Sequence, residues 1–132
     1  MKTINPDPRL MPQILQHLPQ DKPIIMLNLL RFRSQANYED SSITISGREA
    51  YGQYSKLAFG FVKEVGGSAR YLGKIQGHLI APDDERWDEV MLIEYPDAGA
   101  FIKMVTNPEY QAITYHRTAA LDDSRLIATT AH

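Results

Sequence analysis

The clearest periodic signal in the chain follows Ser46-Gly47-Arg48-Glu49, where Ala50, Tyr54, Leu57, Ala58, Phe61, Val62 and Val65 recur at three- and four-residue intervals. That spacing lays them along one face of a helix. The four residues before it have the spacing of a capping box, and Gly66-Gly67 after it permits the left-handed backbone that ends a helix. A different pattern occupies Ile24 to Arg33, which reads Ile-Ile-Met-Leu-Asn-Leu-Leu-Arg-Phe-Arg. It is short and almost continuously apolar, which predicts a central strand covered on both faces. Pro19 and Pro23 before it and the polar stretch after it argue against a buried helix.

Ser34 to Ser46 has no clear period and reads as a loop of the length that is often functional or mobile. Arg70 to Ala81 and Asp88 to Tyr95 read as two strands of a hairpin, joined by the turn Pro82-Asp83-Asp84-Glu85-Arg86. Pro96-Asp97 stops the second of these and caps a helix carrying Phe101, Ile102 and Val105. Asn107-Pro108 breaks that helix and starts a further piece to about Leu121. Asp123 to Thr130 is a final strand. Ahead of all this, Asp7-Pro8 and Met11-Pro12 mark starts of a short N-terminal helix, with Leu10, Ile14, Leu15 and Leu18 on one side, laid on the outside of the domain.

After that first helix the order is strand, helix, strand, strand, helix, strand. This is the split βαβ arrangement of an α+β, ferredoxin-like fold: a four-stranded antiparallel sheet with helices on one face. One domain over residues 1–132 is expected, with 1–22 as a helical extension and 23–132 as the core. Side chains alternate between the faces of a strand. Tyr71, Ile75, Leu79, Met91, Ile93 and Tyr95 form the greasier set of the hairpin and are expected under the helices. Lys74, Gln76, His78, Ile80, Val90, Leu92 and Glu94 are expected on the helix-free face, with Lys74 opposite Glu94 and Gln76 opposite Leu92. Met26, Asn28, Leu30 and Phe32 of the first strand are assigned to that same face. An apolar patch of this kind is unfavourable in water by about 25 cal/mol per Å². The simplest cover is a second copy, so a homodimer through the sheet face is expected.

Of the 132 residues 43% are hydrophobic and 23% charged, which fits one folded domain rather than a disordered chain. A formal net charge of -2 offers no basic surplus for nucleic acid. No segment approaches the length of a membrane span, and residues 1–9 lack the apolar stretch of a signal peptide. The absence of cysteine removes disulfides and thiolate chemistry and points to the cytoplasm.

Three residues are candidates for catalysis. His78 changes charge near neutral pH and suits proton transfer or ligation; its plainer role is a hydrogen-bonded interface or exposed histidine. Asn28 interrupts an apolar strand, and its amide suits a substrate carbonyl, an ordered water or the dimer partner. Glu94 acts as a base when desolvated; a cross-strand pair with Lys74 is the plainer reading. Arg31, at the end of the first strand beside the long loop, suits a bidentate clamp on a carboxylate. Tyr51, Tyr54 and Trp87 complete the candidate substrate-binding set. Tyr54 falls on the apolar stripe, where packing is its ordinary role. Tyr51 lies off it towards the loop, and Trp87 opens the third strand. Arg117 is explained as well by an internal salt bridge or a loop anchor as by a ligand. His17, His78, His116 and His132 have no ligand spacing, so no metal is expected.

Several strings together resemble the domain-of-unknown-function 1330 family. They are Pro23 to Arg33, Ser46-Gly47-Arg48-Glu49-Ala50-Tyr51 with Tyr54, Trp87-Asp88, Tyr95-Pro96, Asn107-Pro108-Glu109-Tyr110 and Arg117-Thr118-Ala119-Ala120-Leu121. The resemblance covers about residues 23–130 and implies a member of the dimeric α/β-barrel superfamily. That superfamily includes cofactor-free monooxygenases, muconolactone isomerase, haem-binding chlorite dismutase and haem-degrading enzymes. What it implies for function is a small dimeric protein acting on a small organic ligand without a cofactor, as a monooxygenase or isomerase. Two alternatives stand beside it: a non-catalytic ligand-binding or stress-related module, and a haem-binding protein using His78.

Overall fold

Local chemistry sets most of the element boundaries. The computed structural model describes residues 1–132. Its elements are α1 (Met11–His17), β1 (Ile24–Phe32), α2 (Gly47–Glu64), β2 (Ser68–Lys74), β3 (Glu89–Tyr95), α3 (Ala98–Val105), α4 (Pro108–Gln111), α5 (Thr114–Ala120) and β4 (Leu121–Thr129). Ser46 closes the capping box on α2: its hydroxyl accepts the Glu49 N–H at 3.0 Å, and the Glu49 carboxylate accepts the Ser46 N–H at 3.2 Å. Past the other end of α2, Gly66 takes φ 84°, where a Cβ is disfavoured. Asp97 caps α3 by accepting the Ala100 N–H at 2.8 Å, and Asn107 caps α4 by accepting the Glu109 N–H at 2.9 Å. The helical piece expected to run to about Leu121 is two pieces. The Ile113 N–H bonds back to the Tyr110 carbonyl, a tight turn that separates α4 from α5.

The four strands form one antiparallel sheet in the order β2-β3-β1-β4, so β1 and β3 are central. α2 packs on α5 and contacts β1 and β2, while α3 contacts β3. This is the ferredoxin-like α+β arrangement. Ile24, Leu30 and Leu121 are the largest wholly buried side chains and anchor the layer between sheet and helices. No helix is long and apolar enough to cross a membrane.

The faces of the sheet depart from the sequence-based expectation in two places. In β1, Met26 stands opposite Ile93 and Asn28 opposite Met91. Met26, Leu30 and Phe32 are buried with them. The set Met26, Asn28, Leu30 and Phe32 therefore lies under the helices, and Ile25, Leu27, Leu29 and Arg31 face away. A strand that is apolar on both sides carries no mark of which side the helices take. The helix-free face is still greasy, but through Ile25, Leu27 and Leu29 beside Val90 and Leu92.

The hairpin is the second departure. β2 ends at Lys74 instead of reaching Ala81. The stop comes at Asp88, which is shared between two strands: its carbonyl still accepts the Ile75 N–H at 2.9 Å, while its N–H donates to the Leu30 carbonyl at 2.7 Å and its carboxylate accepts the Phe32 N–H at 2.8 Å. Residues 76–87 are left without a ladder partner, and Leu79 and Ile80 are 100% and 99% exposed instead of lying on the sheet. Within β2 a register shift between Ala69 and Tyr71 moves Tyr71 opposite Leu92, onto the helix-free face. The facing pairs are thus Ser68 with Glu94 and Lys74 with Glu89, not Lys74 with Glu94 or Gln76 with Leu92.

Candidate functional site

Side chains from both layers leave a cavity of about 980 Å³ between the sheet and the helices. Its floor comes from Met26 and Asn28 of β1 and Met91 and Ile93 of β3. Tyr51, Tyr54 and Ala58 of α2 and Tyr110 of α4 form the opposite wall. Residues 3–16 close a third side. That segment is fastened to the edge strand β4. The Ser124 N–H donates to the Thr3 carbonyl at 2.7 Å, the Thr3 hydroxyl donates to the Ser124 carbonyl at 2.6 Å, and the Thr3 N–H donates to Asp123 at 2.9 Å. Lys2 adds an ion pair with Asp122 at 2.8 Å.

These contacts carry a pH dependence. The Lys2 ammonium, with Arg31 behind it, holds the Asp122 carboxyl below its ordinary value of 3.8. Burial pushes Asp123 up, but the Thr3 N–H, the Arg125 guanidinium and the Ser124 N–H together outweigh it and hold it below 3.8 as well. Both groups bind protons more weakly folded than unfolded. Their contribution is complete above 3.8 and is lost as pH falls through the folded values. Protection of the Ser124 amide against exchange is therefore expected to be constant between pH 5 and 7 and to drop in more acidic solution, before the central strands open. An amide at Ser124 that stays as protected as those of β1 in acid removes this fastening from the account.

The Tyr54 and Tyr110 hydroxyls lie 2.6 Å apart, so one donates to the other and the second proton is free for an occupant. The Asn28 amide makes only a long 3.3 Å bond to the Met26 carbonyl, and its oxygen accepts none within the chain. Burial pushes the Tyr54 phenol far above 10.0, with Tyr110 and Tyr51 adding to the effect. Burial does the same to Tyr51, with the Arg117 charge opposing it. Burial thus favours the protonated form of both phenols. The one carboxylate on the rim is Asp7, which is already paired with Arg9 at 3.1 Å.

Asn28, Tyr51 and Tyr54 are brought together; the other sequence candidates are not. His78 is exposed in the connection between β2 and β3, where its Nε2 accepts the Trp87 N–H at 3.0 Å. Glu94 lies on the helix-free face, paired with Arg70 at 2.7 Å and not with Lys74. It is separated from Asn28 by the sheet. Arg31 is held by Asp122 at 2.9 Å, with Asp123 at 3.8 Å. Trp87 is buried outside the cavity, with the Arg125 guanidinium 5.0 Å over its ring. Arg31 and Trp87 meet at a separate polar hollow of about 380 Å³ whose Arg31 and Arg125 are both neutralised by aspartates. Tyr110, a group of the main cavity, escapes a reading of the sequence, while Arg117, for which a ligand contact, a salt bridge and a loop anchor are equal readings, lines the cavity and makes no salt bridge. Tyr110 lies 56 positions from its partner Tyr54, and no spacing rule links them.

The family profile described as "Domain of unknown function (DUF1330)" matches residues 37–130. The chain belongs to the DUF1330 family. The match begins after β1, so Asn28 lies outside it and Tyr51, Tyr54, Tyr110 and Arg117 lie inside. The structure superposes on RPA0582, a protein of unknown function from Rhodopseudomonas palustris, with a TM-score of 0.92 at 36% identity, covering 100% of this chain and 98% of that one. Two more distant likenesses show the fold shared by DUF1330. One is with SnoaB, a cofactor-independent oxygenase from Streptomyces nogalater (TM-score 0.56, 12% identity, 84% of this chain and 94% of that one). The other is with a dimeric protein of unknown function and ferredoxin-like fold from Bacteroides fragilis (TM-score 0.54, 10% identity, 86% and 100%). No curated protein matches the chain.

Proposed function

We propose that this DUF1330 protein binds a compact, largely apolar organic molecule in the cavity between sheet and helices and transforms it without a cofactor, as an oxygenase or isomerase. The observation that carries this reading is the meeting, in one cavity of about 980 Å³, of apolar walls with the Asn28 amide and the Tyr54–Tyr110 hydroxyl pair. Small-molecule sites have this composition: mostly apolar, with a few convergent polar groups that fix orientation. A carbonyl or phenolic oxygen lying at the hydroxyl pair receives a hydrogen bond that strengthens as negative charge grows on it. The stabilised species is an enolate or phenolate. Such an anion serves a proton shift along the carbon skeleton and equally an attack on dioxygen. Since the walls offer no free carboxylate or imidazole, the substrate brings its own acidity as an enol or phenol and releases its proton to water. The SnoaB fold, that of a cofactor-independent oxygenase, supports the same class.

Naphthols, anthrones and naphthoquinones titrated against the protein test this directly. Tyrosine emission is the reporter, because Trp87 lies outside the cavity. Binding is expected for members of the panel, and Tyr54→Phe, which removes one hydroxyl, is expected to weaken it by about 1 kcal/mol, roughly five- to tenfold. A panel in which nothing binds, or a Tyr54→Phe protein that binds as tightly, counts against the reading.

We infer also that a second copy covers the helix-free face. Ile25, Leu27, Leu29, Val90 and Leu92 make it apolar, and its charged groups are already neutralised within the chain, Glu94 by Arg70 and Arg31 by Asp122. Burying this face strands no charge. The exposed tip at Leu79 and Ile80 gives each copy an apolar arm to lay on the other.

A further inference from the structure

The two arginines that line the cavity are in opposite electrostatic situations. Arg125 is paired with Asp123 at 2.7 Å. Arg117, part-buried on α5, has no carboxylate within ion-pair distance. The ion pairs of the chain engage Lys2, Arg9, Arg31, Arg48, Arg70 and Arg125 and leave Arg117 out. Its guanidinium donates to neutral acceptors only: the Ile4 carbonyl through Nη1, and the Ser124 hydroxyl through Nη2 at 3.3 Å. A guanidinium has five N–H donors, so with these two bonds and one to the Tyr51 hydroxyl two are left for something else. The Tyr51 phenol, on the cavity wall, lies beside the same charge.

A part-buried cation with no counter-ion is unfavourable in an apolar setting. The two neutral bonds fix the guanidinium plane between the N-terminal segment and β4 without neutralising it. Spare donors in a fixed fork suit a carboxylate, which accepts two parallel N–H bonds. Resting on the ligand-binding reading above, we propose that the natural ligand is an apolar organic acid whose carboxylate is held by Arg117, while its hydrocarbon body fills the space over Met26, Met91 and Ile93. This assigns to Arg117 the carboxylate-binding role that sequence spacing suggests for Arg31. The Arg31 guanidinium, held by Asp122 and Asp123, has its charge already met.

The test compares anthracene-9-carboxylic acid with anthracene-9-carboxamide at pH 7, two ligands of the same shape of which only the first is charged. In the unaltered protein the acid is expected to bind at least tenfold more tightly. The Arg117 Nε–Hε resonance is expected to shift with the acid and not with the amide. Arg117→Gln is expected to abolish the preference, and Arg117→Lys to keep part of it. Equal binding of acid and amide overturns the proposal while leaving the cavity reading intact, whereas a failure of both to bind removes both. A preference for the acid that persists in Arg117→Gln, or an Arg117 resonance indifferent to the acid, places the carboxylate elsewhere and also overturns it. The resonance and the acid-to-amide ratio are read on the unaltered chain, so they decide the matter even if the variants do not fold.

Discussion

Gly47→Ala is expected to lower the stability of the protein by about 3 kcal/mol or more, a fall in Tm of roughly 10 °C. Gly47 is the first residue of α2, and its backbone dihedrals are not the reason for glycine. Space is. A Cβ there would stand under 3.0 Å from the Arg33 carbonyl oxygen, the Arg33 nitrogen and the Ala120 carbonyl oxygen. All three are backbone atoms engaged in the junction itself: the Gly47 N–H donates to Arg33 at 3.1 Å and the Arg33 N–H donates to Ala120 at 2.9 Å. The end of β1, the start of α2 and the turn from α5 into β4 meet at this point. No flexible side chain can move aside, so relief requires separating three elements. Gly52 and Gly60 in the same helix supply the control. A Cβ at either meets nothing within 4 Å. Their replacement by alanine is expected to stabilise by about 0.5–1 kcal/mol each, because helical glycine loses more backbone entropy. Thermal melts of the three variants check both signs. A Gly47→Ala melt close to that of the parent would mean that the junction is looser than described.

Leu27→Glu is expected to convert a dimer into a monomer without unfolding it. Leu27 sits at the centre of the helix-free face, opposite Leu92 in β3 and Ile127 in β4. In the isolated chain it is only half-buried, so a glutamate there reaches water and the fold tolerates it. Within an interface the same carboxylate is desolvated among leucines with no free cation nearby, since Arg70, Arg31 and Arg125 are already paired. An unpaired buried charge is unfavourable by several kcal/mol; about 4 kcal/mol weakens association roughly a thousandfold. Sedimentation at micromolar concentration is the measurement. The parent is expected as a dimer and Leu27→Glu as a monomer with unchanged circular dichroism. A monomeric parent, or a variant that remains dimeric, removes the second copy from the helix-free face.

The local elements of this protein were legible in its sequence because their determinants act over a few residues. The Ser46–Glu49 box, the Asp97 and Asn107 caps and the glycines after α2 lie where the helices begin and end. The order of those elements was enough for the ferredoxin-like sheet, because connection length and strand apolarity leave few topologies. Of the candidate site, Tyr54 was legible as a member of the stripe and Asn28 as an amide out of keeping with its strand, though on the opposite face; Tyr51, expected off the stripe towards the loop, is instead buried on the cavity wall.

What only the tertiary structure decided was which side of the sheet each residue faces and which distant residues meet. β1 is apolar on both sides, so its alternation has no sign until the helices choose a face. The shift at Ala69–Tyr71 reverses the phase of β2, and a one-residue slip exchanges faces completely. Asp88, where the hairpin ladder ends, is also bonded to β1 across a long separation in sequence. Arg117 is left without a counter-ion because the docking of α5 brings it to the Ile4 carbonyl and the Ser124 hydroxyl and to no carboxylate. Short-range spacing encodes dihedrals and caps; charge balance and the meeting of Tyr54 with Tyr110 depend on helices docking in three dimensions, and no period along the chain records that.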